Sequence, residues 1–259
     1  MKIQVLVATT RQSDYSLIKK MNIKTDAIIG NQCDKNSVDE FEIDNMHIVY
    51  LNFAEHGVGL NRNNTLMRAN ADICLFADDD IIYEDDYREI VEKSFNNNPK
   101  ADVIIFNLKE KNITQRIINK KKKVGYLNYL RYGTVRIAVR LSSVKKYGIY
   151  FNQCFGGGTE RCHGEDTLFL SACLKNGLKI VAVPEYIATL TDERESSWNN
   201  GYNEKYIKDQ GVLYYTISRK WWRLLCIQDA IRKHRLYNRS MLNTYLLMLE
   251  EVKKFKKHK

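Results

Sequence analysis

Proline and glycine are scarce in this chain, which has 2 prolines and 13 glycines among its 259 residues. Such low numbers exclude collagen-like, proline-rich and low-complexity linker proteins. Uncharged stretches are short as well: the longest, residues 147–159, has 13 residues and contains four glycines. It is too short and too polar to span a bilayer. No secretory cleavage site follows the apolar residues 3–8, so we expect a cytoplasmic protein.

Paired cysteines and the common nucleotide-binding fingerprints are also absent. The six cysteines are scattered, with no C-x-x-C pair and no Cys/His spacing that suits zinc. In a chain without a signal peptide we expect them to be reduced packing residues rather than a disulfide framework. No G-x-G-x-x-G or Walker A sequence occurs, which argues against the usual dinucleotide and ATP sites.

Positive charge is concentrated near the end of the chain. The net charge is +10, from 41 basic and 31 acidic residues, and residues 201–259 hold 14 of the basic and 5 of the acidic ones. A near-neutral body therefore carries a basic C-terminal segment. Such a segment indicates an anionic partner, either a membrane surface or a nucleic acid.

Short apolar runs alternate with helical patterns along the first 110 residues. The runs predict strands at 3–8, 26–30, 47–51, 72–77 and 101–108, with helices at 14–21, 60–71 and 84–95. This alternation predicts an α/β fold, whose parallel sheet is covered on both faces. Ligands of such folds lie at the carboxyl ends of the strands.

The pattern is less regular beyond residue 110. The four lysines at 120–123 indicate a solvated loop, and residues 154–159 a glycine-rich loop. The rest predicts strands at 132–140 and 179–184, and helices at 163–176, 206–237 and 241–255.

The strongest local signal is the run Asp78-Asp79-Asp80 at the end of an apolar strand. In an extended chain Asp78 and Asp80 point to the same side. Two carboxylates at the edge of a parallel sheet suit a hard cation that bridges phosphate oxygens. A solvated acidic loop is the alternative interpretation.

Two further segments each allow two interpretations. Asp166, in Gly164-Glu165-Asp166 at a predicted helix start, is either a capping residue or a base that accepts a hydroxyl proton. Arg62 follows a glycine-containing turn near another helix start. It either meets a diphosphate or base edge or is a solvent-exposed side chain.

Together these segments resemble the glycosyltransferase family 2 enzymes, which have the nucleotide-sugar-binding fold called GT-A. The resemblance runs from residue 3 to 198 and rests on four segments in the family's order: the first strand ending at Thr9, and residues 59–63, 76–80 and 164–166. It implies a Rossmann-like, mostly parallel sheet flanked by helices, with a C-terminal helical extension. The implied organisation is a GT-A domain at 1–200, with a nucleotide-sugar-binding half at 1–110 and an acceptor half at 111–200, followed by a basic helical segment at 201–259.

The resemblance also implies roles for the matching residues. Asp166, next to Glu165, matches the general base, and Asp80 and Asp78 match the residues that hold Mn²⁺ or Mg²⁺ on the diphosphate. The residues implied to bind the nucleotide-sugar are Thr9, Thr10, Arg11, Gln32, Arg62, Asn63, Asp78 and Asp79. Gln32 stands where the family usually has an acidic residue for the base, and its carbonyl can accept from the imide N–H of uracil or thymine.

The implied activity is that of a metal-dependent, inverting hexosyltransferase. Its donor is a nucleoside-diphosphate sugar, with a UDP-sugar favoured, and its acceptor is a hydroxyl of a glycan or lipid-linked oligosaccharide in surface polysaccharide synthesis. A sugar-1-phosphate nucleotidyltransferase is one alternative, although residues 9–12 lack the glycine-rich loop expected there. A non-enzymatic protein that binds nucleic acid or membrane through its basic segment is another. It leaves the acidic strand end without a role, and we expect no nucleic-acid partner.

The basic segment contains one amphipathic pattern. On a helix Trp221, Leu224, Leu225, Gln228 and Ile231 share a face, with basic residues around it. Such a helix either lies in a membrane interface, making the protein peripheral at the inner face of the cell membrane, or packs its apolar face on the catalytic domain.

Overall fold

The computed structural model describes residues 1–110, 116–191 and 201–257. Its strands are β1 (Ile3–Thr10), β2 (Asp26–Gln32), β3 (Ser37–Ile43), β4 (Met46–Phe53), β5 (Ile73–Asp78), β6 (Ile81–Tyr83), β7 (Val103–Lys109), β8 (Lys122–Val124), β9 (Ile137–Arg140) and β10 (Ile180–Leu190). Its α-helices are α1 (Leu17–Lys20), α2 (Val58–Arg68), α3 (Tyr87–Asn96), α4 (Leu141–Lys146), α5 (Glu165–Lys175), α6 (Glu204–Ile217), α7 (Trp222–Lys233) and α8 (Met241–Lys257).

The strands form one sheet in the order β3-β4-β2-β1-β5-β9-β7-β10-β6, and β8 pairs with β10. Six strands, β1, β2, β4, β5, β7 and β10, run in one direction, and the other four run against them. The mostly parallel direction predicted from the sequence is therefore confirmed.

Helices cover both faces of this sheet because its central strands are apolar on both sides. Along β1, Val5 and Val7 join the core that α1 and α3 cover, whereas Leu6 joins the core that α2, α4 and α5 cover. Successive side chains of a strand point to opposite faces, so one buried strand serves two cores.

Two predictions about the middle of the chain are wrong. The lysine run at 120–123 is not simply a solvated loop, because β8 begins at Lys122 and pairs antiparallel with β10. Residues 132–140 are a strand only at their end. Short 3₁₀ turns at Tyr129–Arg131 and Thr134–Arg136 precede β9.

The helix predicted at 206–237 is two helices, α6 and α7. Ser218 ends α6 in an extended conformation, and its hydroxyl oxygen accepts a hydrogen bond from the Trp221 backbone N–H at 3.2 Å. Helices α6, α7 and α8 share one apolar cluster, which also includes Phe155 from the loop before α5. Among the described residues, no helix is both long enough and apolar enough to cross a membrane.

Candidate active site

The carboxyl ends of β1, β2 and β5 meet at one edge of the sheet. The three strands are parallel, with Thr9 opposite Asn31 and Ala8 opposite Asp78. The residues that end each strand are therefore neighbours, as in other parallel α/β sheets. This brings together most of the residues that the sequence singled out.

Asp79 is tied to the end of β1. Its carboxylate oxygen Oδ2 accepts hydrogen bonds from Thr9 Oγ1 at 2.5 Å and from Gln12 Nε2 at 3.3 Å. Gln12 Nε2 also donates to Thr9 Oγ1 at 2.8 Å. These contacts fix the acidic turn after β5 against the end of β1. Two predicted nucleotide-binding residues lie there, Thr10 as the last residue of β1 and Arg11 just after it.

Arg62 is buried between two carboxylates. Its Nη2 donates to both oxygens of Asp78, at 2.7 and 3.0 Å, and its Nη1 donates to Glu165 Oε1 at 2.8 Å. Its side chain is only 4% exposed and packs over the ring of Phe151. Burial alone would lower the pKa of Arg62, but the charges of Asp78 and Glu165 more than reverse this effect, so the net shift is upward. Arg62 thus links all three sequence segments that carry the chemistry, and the interpretation as a solvent-exposed side chain is wrong.

Asp166 lies one residue beyond Glu165, in the first turn of α5. Its Oδ1 accepts a hydrogen bond from the Thr167 backbone N–H at 2.6 Å. Burial and the neighbouring charge of Glu165 both disfavour its ionised form and raise its pKa to about 7. A carboxyl group with this pKa can accept a proton near neutral pH.

The acidic run is not extended through Asp80. Strand β5 ends at Asp78, and the next two residues form a turn, so the period-two argument that paired Asp78 with Asp80 fails. Asp78 contacts Arg62. Asp79 and Asp80 instead line a small cavity of about 60 Å³, together with Gln12, Lys20, Thr191 and two residues of the adjacent loop and helix.

The donor atoms around this cavity bear on the implied Mn²⁺ or Mg²⁺. The carboxylate oxygens of Asp79 and Asp80 are the hard ligands that these cations prefer. The backbone carbonyl of Asp80 accepts from the N–H and hydroxyl of Thr191, at 2.8 and 2.9 Å, which holds the turn in place. Both oxygens of Asp78, in contrast, accept from Arg62. The chemistry of the donor set therefore fits Asp80 as a cation ligand better than Asp78.

Two predicted nucleotide-binding residues make contacts within the protein. Asn63 is buried in α2, where its side chain accepts from the Phe151 N–H at 2.8 Å and donates to the Phe151 carbonyl at 2.9 Å. The Nε2 of Gln32 donates to the Glu55 carbonyl at 2.7 Å. Asn63 thus anchors the segment before the glycine loop. Gln32 is the last residue of β2, beside the residues at the end of β1.

Sequence reasoning missed three amides that organise this edge. Gln12 exchanges hydrogen bonds with Asn31, whose Oδ1 accepts from the Gln12 N–H at 2.9 Å. Asn61 is buried and its Nδ2 donates to the carbonyls of Gly30 at 2.8 Å and Thr9 at 3.2 Å. Asn61 lies within the 59–63 segment that carries the resemblance, but Gln12 stands in no motif.

A second cluster of possible metal ligands lies just before α5. The ligand atoms of Cys162, His163 and Asp209 lie within 4.8 Å of one another. Asp209, however, already accepts from Lys205 Nζ at 2.7 Å, Arg161 Nη1 at 3.3 Å and the Cys162 N–H at 3.1 Å. These contacts engage both oxygens of Asp209. The cluster is therefore better explained by ion pairs and hydrogen bonds that connect α6 to the loop before α5 than by a metal site.

A scan against protein-family models and a sequence search of curated proteins give no match. Solved structures of S. aureus TarS are similar to the chain. TarS 1–349 in complex with UDP-GlcNAc has a TM-score of 0.66 at 16% identity, and the match covers 95% of this chain and 75% of that one. TarS 1–349 in complex with UDP has a TM-score of 0.63 at 15% identity, with 91% and 72% covered. A longer TarS structure has a TM-score of 0.62 at 16% identity, and the match covers 90% of this chain and 44% of that one.

TarS is a glycosyltransferase with the GT-A fold. The likeness therefore confirms, at the level of the fold, the resemblance on which the sequence interpretation rests. This chain has a mixed α/β architecture that matches the GT-A fold.

Proposed function

We propose that this protein is a glycosyltransferase that transfers a sugar from a nucleoside-diphosphate sugar to an acceptor hydroxyl. One observation carries the proposal: Arg62 joins the acidic end of β5 to the Glu165–Asp166 start of α5. It holds two groups in one site: the carboxylate-bearing end of β5, which suits a cation that binds a diphosphate, and a carboxyl group that suits proton transfer. The complexes of TarS with UDP-GlcNAc and UDP support a UDP-sugar as the donor.

The proposed reaction is a single displacement with inversion. The acceptor oxygen attacks the anomeric carbon, the bond from that carbon to the diphosphate oxygen breaks, and Asp166 takes the hydroxyl proton. The pKa of about 7 at Asp166 supports this role, because general bases work best with a pKa near the operating pH. Glu165, which is held by Arg62, adds to this effect because its charge raises the pKa of the neighbouring Asp166.

The donor would lie along the edge formed by β1, β2 and β5. Thr9, Thr10, Arg11 and Gln32 surround the proposed nucleoside position, and Asp79 holds the acidic turn against Thr9. Asp80, with Asp79 beside it, would hold Mn²⁺ or Mg²⁺. When bound, such a cation neutralises charge on the departing diphosphate.

The proposed acceptor is a glycan or lipid-linked oligosaccharide of a surface polysaccharide, and the transferred unit a hexose. A cavity of about 250 Å³ near the carboxyl end of β7 supports a polar acceptor. Polar and charged residues line it together with one aromatic and two aliphatic residues: Asn107, Lys109, Glu110, Arg116, Arg136, Tyr186, Leu108 and Ile117. Hydrogen-bonding groups beside an aromatic ring suit the two faces of a sugar.

Thermal shift against a panel of nucleoside diphosphates, with and without Mn²⁺, tests the donor site. A ligand at about 100 times its Kd stabilises the folded state by about 2.7 kcal/mol. We expect UDP to raise the unfolding temperature in a Mn²⁺-dependent way, and we expect Asp80→Ala to remove this shift. The control is Asp86→Ala, which removes an exposed carboxylate outside the cavity and should leave the shift unchanged. The absence of any shift would contradict the proposed function, and an undiminished shift in Asp80→Ala would contradict the cation site.

A further inference from the structure

Helix α7 carries a stripe of apolar side chains that the rest of the described protein leaves uncovered. Trp221, immediately before the helix, and Leu224, Ile227 and Ile231 within it are 39–57% exposed. Their spacing of three or four residues places them on one face of the helix. These four residues are called the α7 stripe below.

The opposite face of α7 is the one that packs on the protein. Trp222, Cys226 and Ala230 are buried in or beside the apolar cluster shared with α6 and α8. Of the face predicted to pack on the domain, Trp221, Leu224, Leu225, Gln228 and Ile231, only Leu225 packs against this cluster. For the other four residues, which are exposed, that interpretation is wrong. The tryptophan that packs inward is Trp222 rather than Trp221.

The exposed charge on α7 is entirely positive. Arg223 and Arg232 are exposed within the helix, and Lys220 and Arg235 are exposed just before and after it. The acidic residue of this helix, Asp229, is only 5% exposed. It accepts hydrogen bonds from Tyr214 at 2.8 Å and Tyr237 at 2.6 Å and pairs with Lys233. The α7 stripe is thus flanked by cations whose charge no exposed acidic side chain of the helix offsets.

We propose that the α7 stripe docks into the surface of an anionic lipid bilayer. Apolar side chains with a tryptophan among them enter the boundary between headgroups and acyl chains, and the flanking cations contact anionic headgroups. A second copy of the chain is a poorer occupant, because two such faces would oppose like charges. A nucleic acid is poorer as well, because Trp221 is the one ring in the stripe, and its other three side chains offer bases no ring on which to stack.

This proposal does not depend on the transfer reaction, and its test uses lipid alone. The full chain is floated with vesicles of phosphatidylcholine, with or without 30% phosphatidylglycerol (on the order of the anionic content of a charged leaflet). We expect binding to the anionic vesicles and little to the neutral ones. Fluorescence of Trp221, taken as wild type minus Trp221→Phe, is expected to shift to the blue only with the anionic vesicles.

Matched variants separate this face from general charge. Arg223→Gln, Arg232→Gln and Arg235→Gln together are expected to lower partitioning about 100-fold, at about fivefold for each cation. Leu224→Ser with Ile231→Ser is expected to lower it at least about tenfold. The charge control removes three exposed lysines elsewhere, at 120, 121 and 123, and the apolar control is Leu127→Ser, at a side chain that is 98% exposed. Both controls should bind as the wild type does.

Three results of the vesicle experiments would overturn the proposal. They are no binding to anionic vesicles, equal binding to neutral vesicles, and equal losses in the stripe variants and their controls. Two further assays test the other occupants. If light scattering shows that the lipid-free protein is a dimer, and Leu224→Ser with Ile231→Ser breaks it, the face binds a second copy of the chain. If the protein binds RNA and the arginine variant does not, the face binds nucleic acid. Each variant is first shown to keep the thermal unfolding temperature of the wild type, which these exposed positions predict.

Discussion

Asp166 is the residue on which the proposed chemistry depends, and its environment makes a prediction about pH. Because burial and Glu165 raise its pKa to about 7, the deprotonated form needed for proton transfer accumulates as the pH rises through 7. We therefore expect kcat/KM to increase through an apparent pKa near 7. A pH–rate profile on a UDP-sugar and acceptor measures it, and a flat profile from pH 5 to 8 would contradict the assignment.

Replacing this carboxyl group should separate catalysis from binding. Asp166→Asn keeps an oxygen that can accept from the Thr167 N–H but cannot take a proton. We expect kcat to fall about 10²- to 10⁴-fold with the donor Kd unchanged, as measured by steady-state kinetics and calorimetry. The control is Asp86→Asn, the same change at an exposed residue before α3. Turnover near that of the wild type in Asp166→Asn would place the base elsewhere.

The same substitution should stabilise the fold at alkaline pH. The pKa of Asp166 lies above its ordinary value of 3.8, so the folded state holds this proton more tightly than the unfolded state does. The associated stability is complete below about pH 4 and is lost as the pH rises through about 7. Asp166→Asn avoids the loss, and its free energy of unfolding above pH 7 should exceed that of the wild type by on the order of 1 kcal/mol. Urea denaturation at pH 5 and pH 8 measures the difference, which should be smaller at pH 5.

Arg62 shows how one side chain can hold a site together. Removing it in Arg62→Ala leaves Glu165 and the partly exposed Asp78 without their shared partner. The expected cost is about 3 kcal/mol, the lower end of the range for buried pairs, because solvent screens Asp78. Arg62→Lys should recover only part of this stability, because an ammonium lacks the planar fork that contacts both carboxylates. Arg68→Ala, at an exposed arginine of the same helix, is the control and should change stability by less than about 0.5 kcal/mol. If chemical denaturation gave Arg62→Ala and Arg68→Ala the same free energy of unfolding, the buried contacts of Arg62 would contribute little to stability.

At the scale of elements, the sequence predicts those strands that their own apolar residues determine. Strands β1, β2 and β5 were found because both their faces are buried, which requires continuous apolar runs. Strand β3 lies at the edge of the sheet and is largely exposed, and β8 is two lysines and a valine. These strands form because a neighbouring strand offers its backbone groups, a tertiary effect that their own residues do not encode.

The candidate site follows the same division. The sequence identifies Asp78, Asp79, Glu165 and Asp166 because they stand at the ends of recognisable elements. Their partners depend on the turn after β5 and on which helix crosses the sheet edge, so the contact between Arg62 and both carboxylates could not be read from spacing. The extended geometry assumed for Asp80 was wrong because a strand's last residue is the least certain feature of a sequence pattern.

The crossing of α2 over β2 makes a prediction about Gly30. A Cβ atom at this position would lie 1.9 Å from Asn61 Oδ1, and Asn61 is the side chain that bonds to the carbonyls of Gly30 and Thr9. Gly30→Ala must displace Asn61 and should cost about 1–3 kcal/mol, while also weakening donor binding at the β1 end. Gly125→Ala is the control, since nothing lies within 4 Å of the added atom. Equal denaturation midpoints for the two variants would contradict the close contact.

At the scale of the whole molecule, the C-terminal helices are in contact with the candidate site rather than separate from it. Asp209 of α6 accepts from Arg161 and from the backbone of Cys162. Leu213 of α6 packs so closely on Gly164, where α5 starts, that an added Cβ would lie 2.8 Å from it. The boundary predicted at residue 200 therefore separates the two parts in sequence, while α6 supports the loop that leads to Asp166.

Because α6 supports this loop, we predict that a substitution that disrupts the contacts of α6 also lowers kcat. Asp209→Ala leaves the buried guanidinium of Arg161 without its buried partner, which should cost about 3–5 kcal/mol, or roughly 10 °C in Tm, and reduce kcat through the loop before Asp166. Glu204→Ala, on the same helix, breaks only the exposed pairs with Lys208 and Arg239 and should cost no more than about 1 kcal/mol. Calorimetry of the wild type could instead show two unfolding transitions. If Asp209→Ala then lowered the temperature of only one of them and left kcat unchanged, the C-terminal helices would be an independent unit. A single transition that moves together with kcat is expected instead, because the apolar cluster of α6, α7 and α8 is joined to the loop before α5 through Phe155.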